Sequence, residues 1–372
     1  PELGFEERRT SDVVRRLLED WGVPFVDGLA GTGIVGVLKK GQSTRALGLR
    51  ADMDALPIVE DNTFAHASRH DGRMHACGHD GHTAMLLAAA KHLAHNVDFD
   101  GVIYLIFQPA EERGAGASRM IADGLFERFP MEAVFGAHNW PNLEVGAFAV
   151  SPGPMMASCN EFTIDVIGSG GHAAMPDLCI DPVQPACQIA GALQTIVSRT
   201  LTPSEAAVVS VTMLRAGESM HAIPNVATLK GTVRTFSNAV TDLIEQRIRE
   251  IAAGVSGAAG ARCIVTFDRK CAPTVNHPDE ARFAAQAFAA LAGEGAVKPF
   301  TPSMAAEDFS FMLEAKAGAY FMIGNGDGDH RNAGGGAGPC VLHNPSYDFN
   351  DALIPIGAQA WTALALAWLA RR

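Results

Sequence analysis

The chain lacks a cysteine framework: its seven cysteines, at 77, 159, 179, 187, 263, 271 and 340, are scattered and odd in number over 372 residues. That sparse usage excludes a small disulfide scaffold and favours a reducing compartment, so a cytoplasmic location is expected. A basic excess is also missing. Lys and Arg number 29 against 41 Asp and Glu, a net charge of −12, which argues against a broad nucleic-acid or anionic-membrane surface. No long uninterrupted apolar run is present. The best candidate, residues 352–370, carries Pro355, Gly357, Gln359 and Thr362, and reads as a packed terminal helix rather than a membrane span. No signal peptide and no internal repeat are visible, and the chain opens at Pro1 without Met. What is present is ample apolar material. Hydrophobic residues make up 48% and charged residues 19%, enough to exclude disorder as the main state. At roughly 150 residues per domain the length fits two domains or one large one.

The pattern along the chain is first α/β. Val13, Val14, Leu17, Leu18 and Trp21 recur at helical spacing, and Gly22 with Pro24 ends that helix. Ala46–Leu49, Val102–Phe107 and Ala133–Ala137 are apolar runs of strand length, with a helical stretch at Thr83–Leu93 between the first two. The character changes near Asn160. Phe162–Ile167 alternates like a half-exposed strand, followed by a helix at Asp181–Val197 and strands at Ala207–Leu214 and Ala227–Thr235. A helix at Asn238–Ile251 and a strand at Arg262–Phe267 complete the set. This β-α-β-β-α-β order is the ferredoxin-like pattern. Residues 160–270 are therefore expected to be a domain inserted into a first domain of residues 1–159 and 271–372. After Pro273 the α/β pattern resumes, with a helix over Ala284, Ala287, Phe288 and Leu291, and a strand at Ala319–Ile323. The Gly- and Asp-rich stretch Gly324–Gly338 reads as a loop.

Four segments carry chemistry. In Met74-His75-Ala76-Cys77-Gly78-His79-Asp80-Gly81-His82 a thiol and an imidazole stand two residues apart in a Gly-containing segment before a helix. Both are good ligands for zinc and similar metals, although a polar turn capping the helix gives the same letters. His75 and His82 read as groups that orient the ligands. Gln108-Pro109-Ala110-Glu111-Glu112 follows a strand directly, where open α/β sheets place their sites. Adjacent carboxylates there repel unless a cation or a proton intervenes. One can ligate metal while its neighbour handles a proton on water; taken alone, a solvated acidic helix start explains the pair better. Gly136-Ala137-His138-Asn139-Trp140-Pro141 also follows an apolar strand, and Leu342-His343-Asn344-Pro345 lies in a late loop. Ala51-Asp52-Met53-Asp54 adds paired acids at another strand end. A thiol hydrolase with Cys77 as nucleophile and His79 as base is a rival, but a two-residue spacing is awkward for such a pair.

Together with Gly168–Pro176 and Ala306-Glu307-Asp308-Phe309, these segments resemble, in order and from end to end, the metal-dependent amidohydrolases. That family includes hippurate hydrolase, bacterial N-acyl-amino-acid aminoacylases and plant auxin-conjugate hydrolases. The short basic segment with His that usually precedes the family's first motif is absent here. The resemblance implies a metallopeptidase-like α/β catalytic domain, a central mixed sheet flanked by helices, and an inserted ferredoxin-like α+β domain that serves as lid and dimer interface. It implies two divalent ions, zinc or manganese before cobalt or nickel, held by Cys77, His79, Glu112, His138 and His343. Glu111 would be general base and acid, and Asp54 would orient a ligand. His172 would steady the oxyanion, in its own or a partner subunit. Asn225 and Arg234 would hold a substrate carboxylate, with a surface ion pair as the competing reading of Arg234. The implied reaction is hydrolysis of the amide bond of N-acyl amino acids by a metal-bridged water, in a homodimer, with no nucleic-acid or membrane partner. A dipeptidase or carboxypeptidase on the same scaffold, or a non-catalytic binding protein, are the alternatives.

Overall fold

A computed structural model describes residues 1–331 and 333–371. The elements used below are, in chain order, α1 (Arg8–Asp20), β1 (Phe25–Leu29), β2 (Gly33–Lys40), β3 (Ala46–Asp52), α2 (His79–His95), β4 (Gly101–Gln108) and β5 (Ala133–Pro141). Then come β6 (Cys159–Ile167), α3 (Val183–Thr195), β7 (Ala207–Ala216), β8 (Val226–Thr235), α4 (Asn238–Ala258) and β9 (Arg262–Cys271). The chain closes with α5 (Pro278–Ala292), β10 (Gly318–Gly326) and α6 (Leu353–Leu369). Two compact units emerge. The first comprises Pro1–Met155, Thr274–Thr301 and the chain from Glu307 on; the second comprises Met156–Pro273 and Pro302–Ala306.

The first unit is built on a mixed eight-stranded sheet of order β1-β2-β4-β3-β5-β10, extended by the two-residue edge pieces Phe148–Ala149 and Val297–Lys298. β3, β4, β5 and β10 form parallel pairs, whereas β2 joins β4 antiparallel. β3 is buried at every residue, as expected for a parallel strand covered on both faces. On α1 the buried residues are Ser11, Val14 and Leu18, while Val13 faces solvent; the apolar face is narrower than the spacing predicts. α6 carries Trp361 and Trp368 into the core, the first against Phe321 at 5.1 Å between ring centroids and the second against Phe135 at 5.6 Å. Burying side chains of that size contributes roughly 1.5–3 kcal/mol each. The terminal apolar run is thus a core helix, and among the described residues no helix is long and apolar enough to cross a membrane.

Three boundaries near the site differ from the sequence reading. α2 begins at His79 rather than Thr83, and β5 runs on to Pro141. Hence His79 stands in the first turn of a helix and His138 inside a strand, rather than in the loops beside them. β10 likewise continues to Gly326, so the expected Gly324–Gly338 loop starts three residues late; Asn332 within it lies outside the described residues.

The second unit is a four-stranded antiparallel sheet of order β7-β8-β6-β9. Phe162, Ile164 and Val166 alternate inward from β6, and Leu229 and Val233 from β8. They pack with Ile189 and Leu193 of α3 and Ile244 and Ile248 of α4. Ser237 caps α4, its hydroxyl accepting from the Val240 N–H at 3.2 Å. The result is the ferredoxin-like β-α-β-β-α-β arrangement.

Candidate metal centre

The parallel strands of the first unit end on one edge of the sheet, which is where α/β sheets collect functional side chains. β3 ends at Asp52 and leads to Asp54. β4 ends at Gln108 and leads to Glu111 and Glu112 through Ala110, whose φ is 54°. β5 contributes His138 near its end, and α2 contributes His79 from its first position.

Gly78 makes that last placement possible. Its φ is 85°, a region costly for any residue with a Cβ. A Cβ there would also collide with the Asn139 amide and the Tyr347 hydroxyl. The same two side chains fasten the loop. The Asn139 Nδ2 donates to the Cys77 carbonyl at 2.7 Å and Tyr347 Oη donates to Asn139 Oδ1 at 2.7 Å. His343 is brought in by its own N–H, which donates to the Ala76 carbonyl at 2.8 Å, and it adopts a φ of 63°.

The donor atoms fall into overlapping triads, each with all atoms within 4.8 Å of one another: Cys77 with His79 and His138; Cys77 with Glu112 and His343; and His79 with Glu111 and Glu112. The Cys77 sulfur is common to the first two, and all five ligand candidates are therefore brought together. His138 Nε2 lies 3.3 Å from Cys77 Sγ, and His343 Nε2 lies 3.4 Å from Glu112 Oε1. His343 is half exposed, whereas His79 and His138 are buried.

The imidazoles are set in the form a cation needs. His138 donates from Nδ1 to the Asn139 carbonyl at 2.6 Å, which leaves the Nε2 lone pair toward Cys77. His79 places Nδ1 3.2 Å from Asp54 Oδ1 and turns Nε2 toward Glu112 and Asp52, 3.9 Å from each. An imidazole whose second nitrogen is engaged by a carbonyl or carboxylate is the usual orientation for a metal ligand. The Asp54 carboxylate also accepts the Glu111 N–H at 3.1 Å and the Glu112 N–H at 3.0 Å. One side chain thus fixes both His79 and the backbone of the glutamate pair. His82 sits behind, between Asp52 at 2.6 Å and the Asn139 N–H at 2.9 Å.

Two observations test whether divalent ions fit here. His79 Nε2 and Glu112 Oε1 are buried without any hydrogen-bond partner, an arrangement that costs free energy unless a ligand satisfies them. The protonation pattern also reflects how densely acidic groups crowd the site. Burial and the charges of Glu112 and Glu111 push the Cys77 thiol well above its ordinary range. Burial, Glu307 and Glu112 push the Glu111 carboxyl well up. Burial works against charge on His79, yet Asp52, Asp54 and Glu112 outweigh it and raise it to about 10. Burial leads on Cys77 and Glu111 and the neighbouring acids add to it, whereas on His79 the acids alone drive the shift; a bound cation would favour the charged form of the thiol and the carboxyl. A thiol nucleophile needs the opposite shift on Cys77.

Beneath the centre lies a buried ionic network. Arg50, fully enclosed, donates to Asp52 at 2.7 Å, Glu307 at 2.9 Å, Asp308 at 3.2 Å and Gln108 at 2.8 Å. Tyr320 donates to Glu307. The Asp308 N–H reaches Glu111 Oε1 at 3.3 Å. The sequence reading missed Arg50 altogether and gave Glu307 and Asp308 no role. The available signal was a charged residue in the middle of an apolar strand of parallel type.

His172, Asn225 and Arg234 belong to the second unit. His172 is exposed, opposite Ala222 in a short ladder, and its Nδ1 accepts the Ala174 N–H at 3.1 Å. That bond leaves Nε2 as the protonated, donating nitrogen of a neutral ring. Asn225 Oδ1 accepts the Gly170 N–H at 2.8 Å, which aims its amide NH2 elsewhere. Arg234 is half-buried on β8, and among the described residues no carboxylate pairs with it.

Comparisons with known proteins bear on the chain as a whole. Residues 48–367 match the model of peptidase family M20/M25/M40. The chain is 41% identical over 370 residues to hippurate hydrolase of Campylobacter jejuni, covering 99% of this chain and 94% of that one. It is 39% identical over 355 residues to N-acetyl-L-cysteine deacetylase of Bacillus subtilis, covering 95% and 82%. A solved dinuclear metal binding peptidase of the M20 family from Bacillus subtilis superposes with a TM-score of 0.83 at 32% identity, covering 98% and 93%.

Proposed function

The chain belongs to peptidase family M20/M25/M40 and is a metal-dependent amidohydrolase, and from that premise we propose that it cleaves the amide bond of hippurate-like or N-acetyl amino acids. The observation that carries the reading is the pair of donor triads sharing Cys77, with Glu111 alongside. Two divalent ions fit the set Cys77, His79, Glu112, His138 and His343. The thiolate favours zinc, manganese follows, and cobalt or nickel are compatible with the same donors. Bound there, the ions supply the Lewis acidity that polarises an amide carbonyl and acidifies water.

The remaining steps fall to the chain. Glu111, partly buried and held by the Asp308 N–H at 3.3 Å, takes a proton from the attacking water and returns it to the leaving amine. Its raised proton affinity without ions suits a group that must carry a proton between two partners. Asp54 positions His79 and the glutamate backbone. His172 offers its Nε2–H to the oxyanion, and the Asn225 NH2 holds the carboxylate of the released amino acid; Arg234, at the far end of the same strand, cannot share that carboxylate with Asn225 of its own chain. The second unit serves as lid and homodimer interface, and the enzyme acts in the cytoplasm on a small molecule rather than on nucleic acid or membrane.

A panel of hippurate, N-acetyl amino acids and unblocked dipeptides, each run with added zinc, manganese, cobalt or nickel, tests this. Chelation is expected to abolish turnover, metal to restore it, and N-acyl amino acids to be cleaved at least about tenfold faster than dipeptides, a difference of about 1.4 kcal/mol in transition-state binding. A preference for dipeptides would replace the reading by a dipeptidase. Full activity after metal removal would restore the thiol mechanism, and tight binding without turnover would indicate a binding protein.

A further inference from the structure

The second unit holds a pair of cysteines that the amide chemistry does not use. Cys159 opens β6 and Cys271 closes β9, and the two are directly opposed across the antiparallel ladder. A bulge creates the pairing. Arg269 is opposite Asn160, the register then shifts, and Lys270 is the extra residue. Without that shift Lys270 would stand opposite Cys159. Directly opposed residues of an antiparallel pair have Cα atoms about 4.5–5.5 Å apart and side chains on one face. That lies inside the window of about 4.4–6.8 Å that a disulfide accepts.

The two thiols differ in a way that suits sequential attack. Cys159 is half-buried and open to a small reagent, while Cys271 is 4% exposed. The Cys271 thiol donates to Cys159, burial opposes, and Arg234 and Lys270 assist against the nearby Glu161; the balance lowers Cys159 to about 6. A partly exposed thiol in electropositive surroundings is the reactive kind, and a resolving thiol at its side is the usual companion of a redox site.

We propose that Cys159 and Cys271 form a redox-active dithiol that closes to a disulfide in reaction with a low-molecular-weight disulfide such as oxidised glutathione. The Cys159 thiolate attacks one glutathione sulfur, breaking the S–S bond, releasing a glutathione thiolate and leaving a mixed disulfide. The Cys271 thiol passes its proton to the released thiolate, attacks the Cys159 sulfur and expels the second glutathione. The protein dithiol loses two electrons, and one glutathione disulfide is reduced to two thiols. The bond would join the strands by which the chain enters and leaves the second unit, close to the boundaries at Met156 and Pro273.

The experiment treats the metal-loaded full chain with oxidised glutathione, blocks free thiols, and maps the peptides by mass spectrometry. The wild type is expected to give a Cys159–Cys271 cross-linked peptide that dithiothreitol reverses. Cys271→Ser is expected to keep a stable glutathione adduct on Cys159, and Cys159→Ser to leave Cys271 unmodified. Alkylation of Cys159 should speed up about tenfold between about pH 5 and about pH 7, following its thiolate fraction. Two thiols that merely fill space would behave otherwise. If both remain free in the wild type, or if adducts form in order of exposure with Cys187 first, the proposal is overturned.

Discussion

Replacing Glu111 by glutamine is expected to leave metal content unchanged and to lower kcat by about 10²–10⁴-fold, the range that positioned acid–base groups supply. The substitution preserves shape and the hydrogen bond from the Asp308 N–H, so the fold around the site stays in place. What it removes is the ability to carry a proton. Glu111 is the member of the glutamate pair that suits this. Glu112 faces His343 at 3.4 Å and His79 at 3.9 Å, and these neighbours outweigh burial and hold its carboxyl below the usual range. Glu111 instead faces Glu307 and Asp308, and its proton affinity rises. Two adjacent carboxylates are thereby driven in opposite directions, which is the signature of divided roles. Purified variant should be assayed for metal by elemental mass spectrometry and for turnover on hippurate. Near-normal turnover with full metal would remove Glu111 from the proton-carrying role.

Replacing Arg50 by methionine is expected to destabilise the first unit by about 3–5 kcal/mol, the cost of leaving buried charges without their partner. The guanidinium is fully enclosed and faces three carboxylates, Asp52, Glu307 and Asp308. Even with it present, burial and the neighbouring Glu307 keep the Asp308 carboxyl at about 8. Arg50→Lys keeps the charge but loses the fork that spans Asp52, Gln108 and Glu307, and should fall between the two. Urea unfolding followed by circular dichroism, with metal chelated in all samples so that ion loss does not contribute, reads the effect. A midpoint equal to that of the wild type would show that the network is dispensable for stability.

How much of this was readable in the letters depends on sequence distance. Cys77 and His79 stand two residues apart, and Glu111 and Glu112 are adjacent, so local spacing singled them out as candidates, while their roles came only with the family resemblance. Short apolar runs placed β3, β4 and β5, and the parallel layer put their ends on one edge. The inserted β-α-β-β-α-β unit was equally visible, because its strands alternate and its helices have one apolar face. The Arg50 network was hidden for a plain reason. Its partners Glu307 and Asp308 are more than two hundred residues away, and only the fold brings them beneath Asp52. The start of α2 was misplaced because the Gly-containing segment reads as lying before the helix, whereas Gly78 supplies the left-handed residue that turns the chain into the helix at His79. β5 was cut short at Ala137 because His138 and Asn139 are polar. Parallel pairing with β10 carries the strand through them to Pro141. Polar residues in a buried strand end are costly for folding, and here His138 is one of the donors and Asn139 fastens the loop that carries Cys77.

The most direct measurement of the central claim is the number of divalent ions held per chain after dialysis, in the wild type and in Cys77→Ser. The account predicts two in the wild type, and a clear loss in the variant because one sulfur serves both triads. A wild-type chain that binds no more than one ion, or a Cys77→Ser chain that keeps two, would contradict it.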